Sequence, residues 1–234
     1  MELAVLQKLN LWRAARRATV VIGDLSGGSR VFLEGESFPE AWSPAIVAAL
    51  RSGRPGIVEA DGRSFFLNVY LPPPRILVIG AVHISQALAH MAPVAGFDMT
   101  VVDPRTAFAT PERFAGVELI ADWPEEALKS RPLDRFTALV AVTHDPKIDD
   151  EPLRAALAAR CFYVGALGSR KTHASRVERL RRAGVSDTEI NRISAPIGLD
   201  IGAANPAEIA VAILADIIEA LRRRDVGVAA GGAP

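Results

Sequence analysis

Three polar clusters in the sequence carry residue types that could bind or transform a ligand. They are Gly80 with His83, then Thr143-His144-Asp145, and then Gly165 with Gly168-Ser169-Arg170-Lys171. Each cluster ends or follows a short apolar run that is typical of a buried strand. Because ligands of open parallel sheets bind beyond the carboxyl ends of the strands, we expect the three clusters to lie at one edge of a sheet.

The third cluster is the one best suited to an anion. Gly165 and Gly168 free the backbone, and a helix is predicted to begin at about Ser169. The first N–H groups of a helix have no partner within it and favour negative charge, to which Arg170 and Lys171 add positive charge. A phosphate or pyrophosphate would fit there. The alternative is a capped helix whose basic face is solvated.

The histidines indicate contact with a ligand rather than a metal site. The pair His144-Asp145 could orient a proton donor. A metal site needs three or four converging ligands, and the single cysteine, Cys161, lies elsewhere. We therefore predict no metal ligand and interpret His83 and His144 as pocket residues. There is no Gly-x-Ser-x-Gly elbow and no supported Cys–His pair, so no catalytic residue is assigned.

The elements that would position these clusters start with a strand, a helix and a strand between Arg75 and Asp103. Ile76–Gly80 is a continuous apolar run of the kind that forms a parallel strand buried on both faces. Apolar residues at helical spacing follow, and Gly96 stands where that helix would end. A second apolar run, Met99–Val102, ends in Asp103. An acid about twenty residues after a glycine turn completes the outline of a dinucleotide-binding βαβ unit.

The glycine pattern of that unit is incomplete. The dinucleotide fingerprint places glycines at the positions held here by Gly80, Val82 and Ser85. The β-branched Val82 takes the position where a pyrophosphate would approach the backbone, so binding of NAD(P) is expected to be weakened. Asp103 is a candidate ribose ligand. The alternative is an acid that ends a strand, as in any α/β protein.

The alternation of helices and strands continues to the last helix. Further strands are predicted near residues 117–121, 136–145, 161–167 and 193–196. The last helix has Asn205 as its cap, Pro206 at its first position and Glu208 three residues past the cap, as in a capping box. The loop before it, residues 196–202, holds two glycines around Asp200. We interpret this loop as a pocket wall or lid, and the alternative is a plain connection.

Residues 1–72 predict a small separate α+β domain. Helical and strand-like runs alternate there, with hairpin turns predicted at Gly27-Gly28 and Asp61-Gly62. Pro72-Pro73-Pro74 is a stiff extended linker, at which we place the domain boundary. The predicted fold is therefore α/β: the small N-terminal domain followed by a Rossmann-like doubly wound parallel sheet in residues 73–234.

The amino-acid composition limits which partners the protein could bind and which cellular compartment it fits. The chain has 234 residues, of which 27 are basic and 27 acidic. This balance argues against a general binder of nucleic acid or of acidic membranes. One cysteine excludes a disulfide framework and fits a reducing compartment. No signal peptide or transmembrane span is visible, so we expect a cytoplasmic protein.

The second half of the chain resembles the C-terminal half of the XdhC/CoxI proteins. The resemblance is carried by the run GALGSRKTHASRVERLRRAGVSDTEINRISAPIGLDIGAANPAE, which is distinctive. It extends back through VTHD and FATPERF to RILVIGAVHISQAL, so that it runs from near Pro73 to near Leu221. The XdhC/CoxI proteins are accessory factors of xanthine dehydrogenase and related molybdenum hydroxylases.

This resemblance implies a maturation factor rather than an enzyme. It implies a Rossmann-like domain that binds molybdenum cofactor (molybdopterin), protects it during sulfuration and delivers it to an apo-hydroxylase of the xanthine dehydrogenase type. It also implies self-association, as a dimer, with a cysteine desulfurase as a further partner. The residues expected to contact the cofactor are those of the clusters and loops above: Gly80, His83, Asp103, His144, Gly165, Gly168, Ser169, Arg170 and Asp200.

The chain departs from the family pattern in two places, which leaves alternative functions open. Family members usually carry a glycine at the position of Val82, and their N-terminal domain usually carries a Gly-Ser-x-Pro loop and a Gly-Gly-Cys segment that this chain lacks. One alternative is an NAD(P)-dependent oxidoreductase, motivated by the βαβ unit and Asp103. Another is a non-catalytic partner subunit that binds no cofactor.

Overall fold

The computed structural model describes residues 2–24, 27–60 and 62–224. Contacts divide the described residues into two units: one contains those up to Pro72 together with residues 222–224, and the other covers Pro73–Leu221. Whether residues 1–72 and 73–234 form separate domains stays a prediction. Asp61 of the predicted hairpin lies outside the described residues, whereas its neighbour Gly62 has a φ of 70°, as a tight turn requires.

The first unit is an α+β structure built on an antiparallel sheet. Its elements are α1 (Leu3–Ala14), β1 (Thr19–Asp24), β2 (Ser29–Leu33), α2 (Ser43–Ser52), β3 (Gly56–Ala60) and β4 (Arg63–Tyr70). The four strands lie in the order β2-β1-β4-β3. Neighbouring strands in this order pair antiparallel, and this sheet is separate from the parallel sheet of the second unit.

The second unit is a doubly wound α/β sheet. Its elements are β5 (Arg75–Ile79), α3 (His83–Met91), β6 (Asp98–Val102), β7 (Glu118–Ile120), α4 (Pro124–Ser130), β8 (Thr137–Ala141), α5 (Pro146–Ala158), β9 (Tyr163–Ala166), α6 (Arg170–Arg182), α7 (Asp187–Ile190), β10 (Ile193–Ser194) and α8 (Pro206–Arg223). The strand order is β10-β9-β8-β5-β6-β7, with parallel pairing throughout. This is the Rossmann order, and its switch point lies between β5 and β8.

The apolar runs form this sheet because both of its faces are covered. Along β5, Ile76 and Val78 pack with residues of α3 and α8, whereas Leu77 and Ile79 pack with residues of α5 and α6. Burying an aliphatic side chain of this kind stabilises the fold by about 1.5–3 kcal/mol. The predicted pairing of residues 76–79 with residues 99–102 as adjacent parallel strands is confirmed.

Caps decide where several helices begin. Asn205 accepts the N–H of Glu208 at 3.0 Å, and the Glu208 carboxylate accepts the N–H of Ala204 at 2.6 Å, so Asn205 is the cap of α8 as predicted. Helix α5 begins at Pro146, because Asp145 caps it by accepting the N–H of Lys147 at 3.0 Å.

Candidate functional site

The switch point depends on a glycine. Gly80 follows β5 with a φ of 121°, and a Cβ atom there would lie 2.9 Å from Cγ2 and 3.2 Å from the backbone N of Thr143. Only glycine combines this backbone with so close an approach. Gly80 therefore lets the ends of β5 and β8 come together, which places the first two sequence clusters at one edge of the sheet.

The turn after Gly80 is closed by a serine hydroxyl. Ser85 is fully buried, and its Oγ accepts the N–H of Val82 at 2.8 Å. The same Oγ lies within donating distance of the carbonyl oxygens of Gly80, at 2.7 Å, and Val82, at 2.8 Å. The third fingerprint position thus holds the turn by hydrogen bonds, and Val82 stands at the cap of α3 where the fingerprint has its second glycine.

Asp103 holds the ends of β5 and β6 together. It is 0% exposed and accepts four hydrogen bonds: from the N–H of Ala81 at 2.7 Å, and from the N, Nε and Nη2 of Arg105 at 2.9, 2.9 and 2.7 Å. Burial alone would raise the pKa of Asp103, but the hydrogen bonds from Arg105 and Ala81 outweigh it and hold the pKa below its usual value.

This network bears on the predicted ribose contact of Asp103. A carboxylate has about four lone-pair sites, and in Asp103 the four bonds from Ala81 and Arg105 use them. A ribose hydroxyl would have to displace Arg105 to reach the carboxylate. The sequence could not reveal this, because it does not show that the N–H of Ala81 and the side chain of Arg105 both reach the carboxylate.

The end of β8 is organised by Asp149 rather than by Asp145. Asp149 is 1% exposed and accepts the hydroxyl of Thr143 at 2.7 Å and the N–H of His144 at 3.1 Å. Burial raises the pKa of Asp149 to about 6, against the opposing effects of Thr143 and Arg176. Of the pair His144-Asp145, which the sequence suggested could orient a proton donor, Asp145 caps α5 with its side chain and His144 is exposed.

The start of α6 has the predicted geometry. Ser169 caps the helix by accepting the N–H of Thr172 at 3.2 Å. Gly168 has a φ of 139°, and a Cβ atom there would lie 2.9 Å from Cγ2 of Thr172. Ser169 and Arg170 are both exposed, so the helix start faces solvent at the end of β9.

The second and third clusters meet in a cavity between α5 and α6. It has a volume of about 270 Å³. It is lined by His144, just before α5, and by residues of both helices: Pro146, Asp149, Asp150, Lys171, Thr172, Ser175, Arg176 and Arg179. Two of its charges neutralise each other, because Asp150 accepts from Nε and Nη2 of Arg179 at 2.5 and 3.0 Å. The cavity is polar and lies at the carboxyl edge of the sheet.

The remaining predicted residues lie around this edge in different roles. His83 is the first residue of α3 and is exposed. Gly165 lies inside β9, where a Cβ atom would be 2.7 Å from the Ile197 side chain, so it permits close packing of the following loop. Asp200 is exposed in that loop and does not line the cavity between α5 and α6.

Sequence reasoning missed two buried ionisable residues of the cavity between α5 and α6, Asp149 and Arg176. Arg176 is 2% exposed and lies four residues before Leu180, on the same face of α6, and Leu180 is also buried. A basic residue four positions before a core leucine was the available signal. For Asp149 the signal was its position among Ile148 and Pro152, both on the buried side of α5.

The described residues offer no metal cluster and no reactive thiol. Within the described part of the chain, no group of three or more His, Cys, Asp or Glu residues could hold a metal ion. Cys161 is buried, and this burial raises the pKa of its thiol to about 12. Across residues 2–24, 27–60 and 62–224, no helix has the length and apolar character needed to cross a membrane.

Comparison with known proteins gives a family and several named relatives. The model of the XdhC Rossmann domain matches residues 76–217. The uncharacterized protein YqeB of Escherichia coli is 33% identical over 161 residues, which cover 67% of this chain and 29% of YqeB. A probable xanthine dehydrogenase subunit of Bacillus subtilis is 32% identical over 161 residues, covering 68% of this chain and 47% of the relative.

A third relative and a solved structure extend the comparison. The molybdenum cofactor insertion chaperone PaoD of Escherichia coli is 29% identical over 148 residues, covering 63% of this chain and 40% of PaoD. The matches thus span less than half the length of these curated relatives. A crystal structure of a xanthine dehydrogenase from Bacillus halodurans has the same fold, with a TM-score of 0.62 and 23% identity over 94% of this chain and 64% of that chain.

Proposed function

Since this chain belongs to the XdhC family of Rossmann-domain proteins, we propose that it is an accessory factor of a molybdenum hydroxylase of the xanthine dehydrogenase type. In this role it binds molybdenum cofactor as cargo and assists its insertion into the apo-hydroxylase. The names of two relatives, a cofactor insertion chaperone and a probable xanthine dehydrogenase subunit, support the proposal.

The proposal rests on a difference between the two positions at the carboxyl edge that could accept an anion: the end of β5 is obstructed, whereas the end of β9 is open. At the end of β5, Val82 replaces a fingerprint glycine and Asp103 is fully engaged by Arg105 and Ala81. At the end of β9, the start of α6 stays exposed, with the backbone N–H groups that favour a phosphate. A phosphate-bearing ligand other than a nicotinamide dinucleotide is the better match to such an edge.

The residues proposed to hold the cargo are those nearest this open position. The hydroxyl of Ser169 and the guanidinium of Arg170 would contact its phosphate, and the exposed imidazole of His144 would hydrogen-bond its polar ring. Gly80 and Gly168 keep the backbone turns short enough to leave room. His83, exposed at the start of α3, and Asp200, exposed in the loop before α8, are proposed as outer contacts.

Sulfuration of the cargo would need a second protein. The single cysteine, Cys161, is fully buried and its raised pKa holds it as a thiol, whereas the thiolate is the reactive form in sulfur transfer. We therefore propose that sulfur comes from a partner such as a cysteine desulfurase, while this chain shields the cargo. Self-association as a dimer belongs to the same proposal.

The runner-up function is an NAD(P)-dependent oxidoreductase. The complete Rossmann strand order and the positive φ of Gly80 favour it. Val82 and the engaged carboxylate of Asp103 weigh against it. Calorimetric titration with NADH and NADPH separates the two, since only the oxidoreductase requires low-micromolar affinity. A partner subunit that binds neither ligand would fail both this titration and the cargo experiment.

The cargo proposal is tested by cofactor retention. The chain is purified anaerobically from cells that make molybdenum cofactor, and molybdenum and oxidised pterin are quantified with and without the co-expressed hydroxylase. We expect both in the purified protein, and co-purification with the hydroxylase. Absence of pterin and molybdenum from a folded sample, together with no effect on hydroxylase activation, would reject the proposal.

A matched pair of variants locates the cargo. Arg170→Ala should weaken binding by about 1–3 kcal/mol because a charge-assisted hydrogen bond is lost. Arg182→Ala removes an exposed arginine from the opposite end of the same helix and should leave binding unchanged. Equal cofactor content in the parent and Arg170→Ala would show that Arg170 is not a contact.

A further inference from the structure

Arg176 is a buried cation whose hydrogen-bonding groups are mostly unused. It is 2% exposed, and its Nη2 donates to the carbonyl of Leu167 at 2.9 Å. Its Nε and Nη1 have no hydrogen-bond partner among the described residues. Since a guanidinium has five N–H donors and stays charged, and since buried polar groups are normally paired, these two nitrogens indicate a missing acceptor.

The acidic residues nearby do not supply that acceptor. Asp150 uses both of its oxygens for Arg179, and Asp149 accepts from Thr143 and His144. Among the described residues, no ion pair joins Arg176 to either acid, although both act on it through space. Burial lowers the pKa of Arg176, which is the direction for a cation that has lost water without gaining a direct partner.

The cavity beside Arg176 presents donors suited to a phosphate. Lys171 and Ser175, and likewise Thr172 and Arg176, stand four residues apart on α6 and line one wall together. This wall thus offers an ammonium, a guanidinium and two hydroxyls, close to the start of the helix. The Ser175 hydroxyl donates to the carbonyl of Lys171 at 3.4 Å, and the Thr172 hydroxyl lies 3.1 Å from that of Ser169. Both would turn toward a bound phosphate, because a hydroxyl rotates to suit its acceptor. The cavity is lined by three cations, Lys171, Arg176 and Arg179, against two acids, so its charge is positive even with Asp149 ionised.

The size of the cavity limits what can enter it. Its volume of about 270 Å³ is below the range of roughly 300–1,000 Å³ that is usual for sites enclosing a drug-sized ligand. A phosphate group with a small organic stem fits, either as a small molecule or as the end of a larger one. A planar carboxylate would satisfy the guanidinium alone, whereas the three terminal oxygens of a phosphate can also accept from the ammonium and the hydroxyls.

We propose that the cavity between α5 and α6 is a phosphate-binding pocket, in which Nε and Nη1 of Arg176 donate to the phosphate group of a phosphate monoester or of free phosphate. Lys171, Thr172 and Ser175 complete the donor set. Its anchor, Arg176, lies one to two turns beyond the exposed start of α6, so this site extends further into the fold than the contacts proposed for the cargo. It stands whether or not the protein carries a pterin cofactor.

Direct binding of small phosphates to the full chain tests the pocket. Inorganic phosphate and glycerol 3-phosphate are titrated calorimetrically into the parent, Arg176→Gln, Lys171→Gln and the control Arg182→Gln. We expect binding by the parent, a loss of at least tenfold in Arg176→Gln and Lys171→Gln, and no change in Arg182→Gln. Tighter binding of glycerol 3-phosphate identifies a monoester as the ligand class, and equal binding identifies free phosphate.

The Lys171→Gln variant keeps the test decisive if Arg176→Gln does not fold, because Lys171 is exposed. The proposal is overturned if neither compound binds the parent at millimolar concentration. It is also overturned if Lys171→Gln, or a folded Arg176→Gln, binds phosphate as the parent does. These outcomes are independent of the cargo experiment, which measures pterin and molybdenum rather than phosphate.

Discussion

Replacing Asp149 by asparagine should change how the stability of the protein depends on pH. Asp149 is 1% exposed, and burial raises its pKa from 3.8 to about 6. A folded-state pKa above the unfolded one means that folding favours the protonated acid. The free energy of unfolding contributed by this group is therefore greatest at acidic pH and is lost as the pH rises through about 6.

The size of the effect follows from the shift. A difference of about two pKa units corresponds to about 3 kcal/mol between full protonation and full ionisation, at 1.36 kcal/mol per unit. Between pH 5 and pH 8 the part that is lost is about 1.4 kcal/mol, because pH 5 lies one unit below the folded-state pKa. Asp149→Asn lacks this component, since an amide does not ionise.

The assay is urea unfolding of parent and variant at pH 5 and pH 8. Asparagine keeps one acceptor oxygen for Thr143 or His144, so the variant also loses about one hydrogen bond, worth about 1 kcal/mol at both pH values. The change in unfolding free energy between pH 5 and pH 8 is therefore compared between parent and variant. The hydrogen-bond loss cancels in this comparison, and the contribution of Asp149 ionisation remains. Asp200→Asn, which changes an exposed aspartate, is the matched control and should follow the parent.

Equal pH dependence of the two proteins would contradict this prediction. If parent and Asp149→Asn lose the same stability between pH 5 and pH 8, the Asp149 carboxyl does not titrate near pH 6 in the folded protein. Burial of Asp149 in the first turn of α5 would then not raise its pKa.

Two further predictions concern the turn after β5. Gly80→Ala should destabilise the protein by more than the about 1–3 kcal/mol that a strained backbone costs, because the added Cβ would lie 2.9 Å from Thr143 Cγ2. Thermal unfolding compares it with Gly96→Ala, a glycine that also has a positive φ but has no atom within 4 Å of the added Cβ, so that this variant measures backbone strain alone. Equal losses of stability in the two variants would contradict the predicted clash. The parent should bind NADH in the millimolar range and Val82→Gly more tightly, because losing two charge-assisted bonds of about 1.5–3 kcal/mol each takes a micromolar binder to about millimolar. Calorimetry measures both affinities, and low-micromolar binding by the parent would promote the oxidoreductase function.

Much of the architecture was decided by local sequence. The apolar runs at Ile76–Ile79 and Met99–Val102 predict buried parallel strands because a strand covered on both faces has no polar side. The cap at Asn205 and the turn at Gly80 were likewise predictable, since each depends on residues within a few positions. The start of α5 also depends on adjacent residues, because Asp145 caps the helix and Pro146 occupies its first position.

The chemistry of the carboxyl edge was decided by the tertiary structure. The sequence presents Asp103 as a strand-ending acid, but only the fold brings Ala81 and Arg105 to its four lone pairs. Likewise Asp149 and Arg176 are ordinary helix residues until α5 and α6 lie side by side and exclude water from both. Hydrogen-bond partners and burial depend on which elements are neighbours in space, and residues far apart in the chain become neighbours only once the strand order β9-β8-β5-β6 is set.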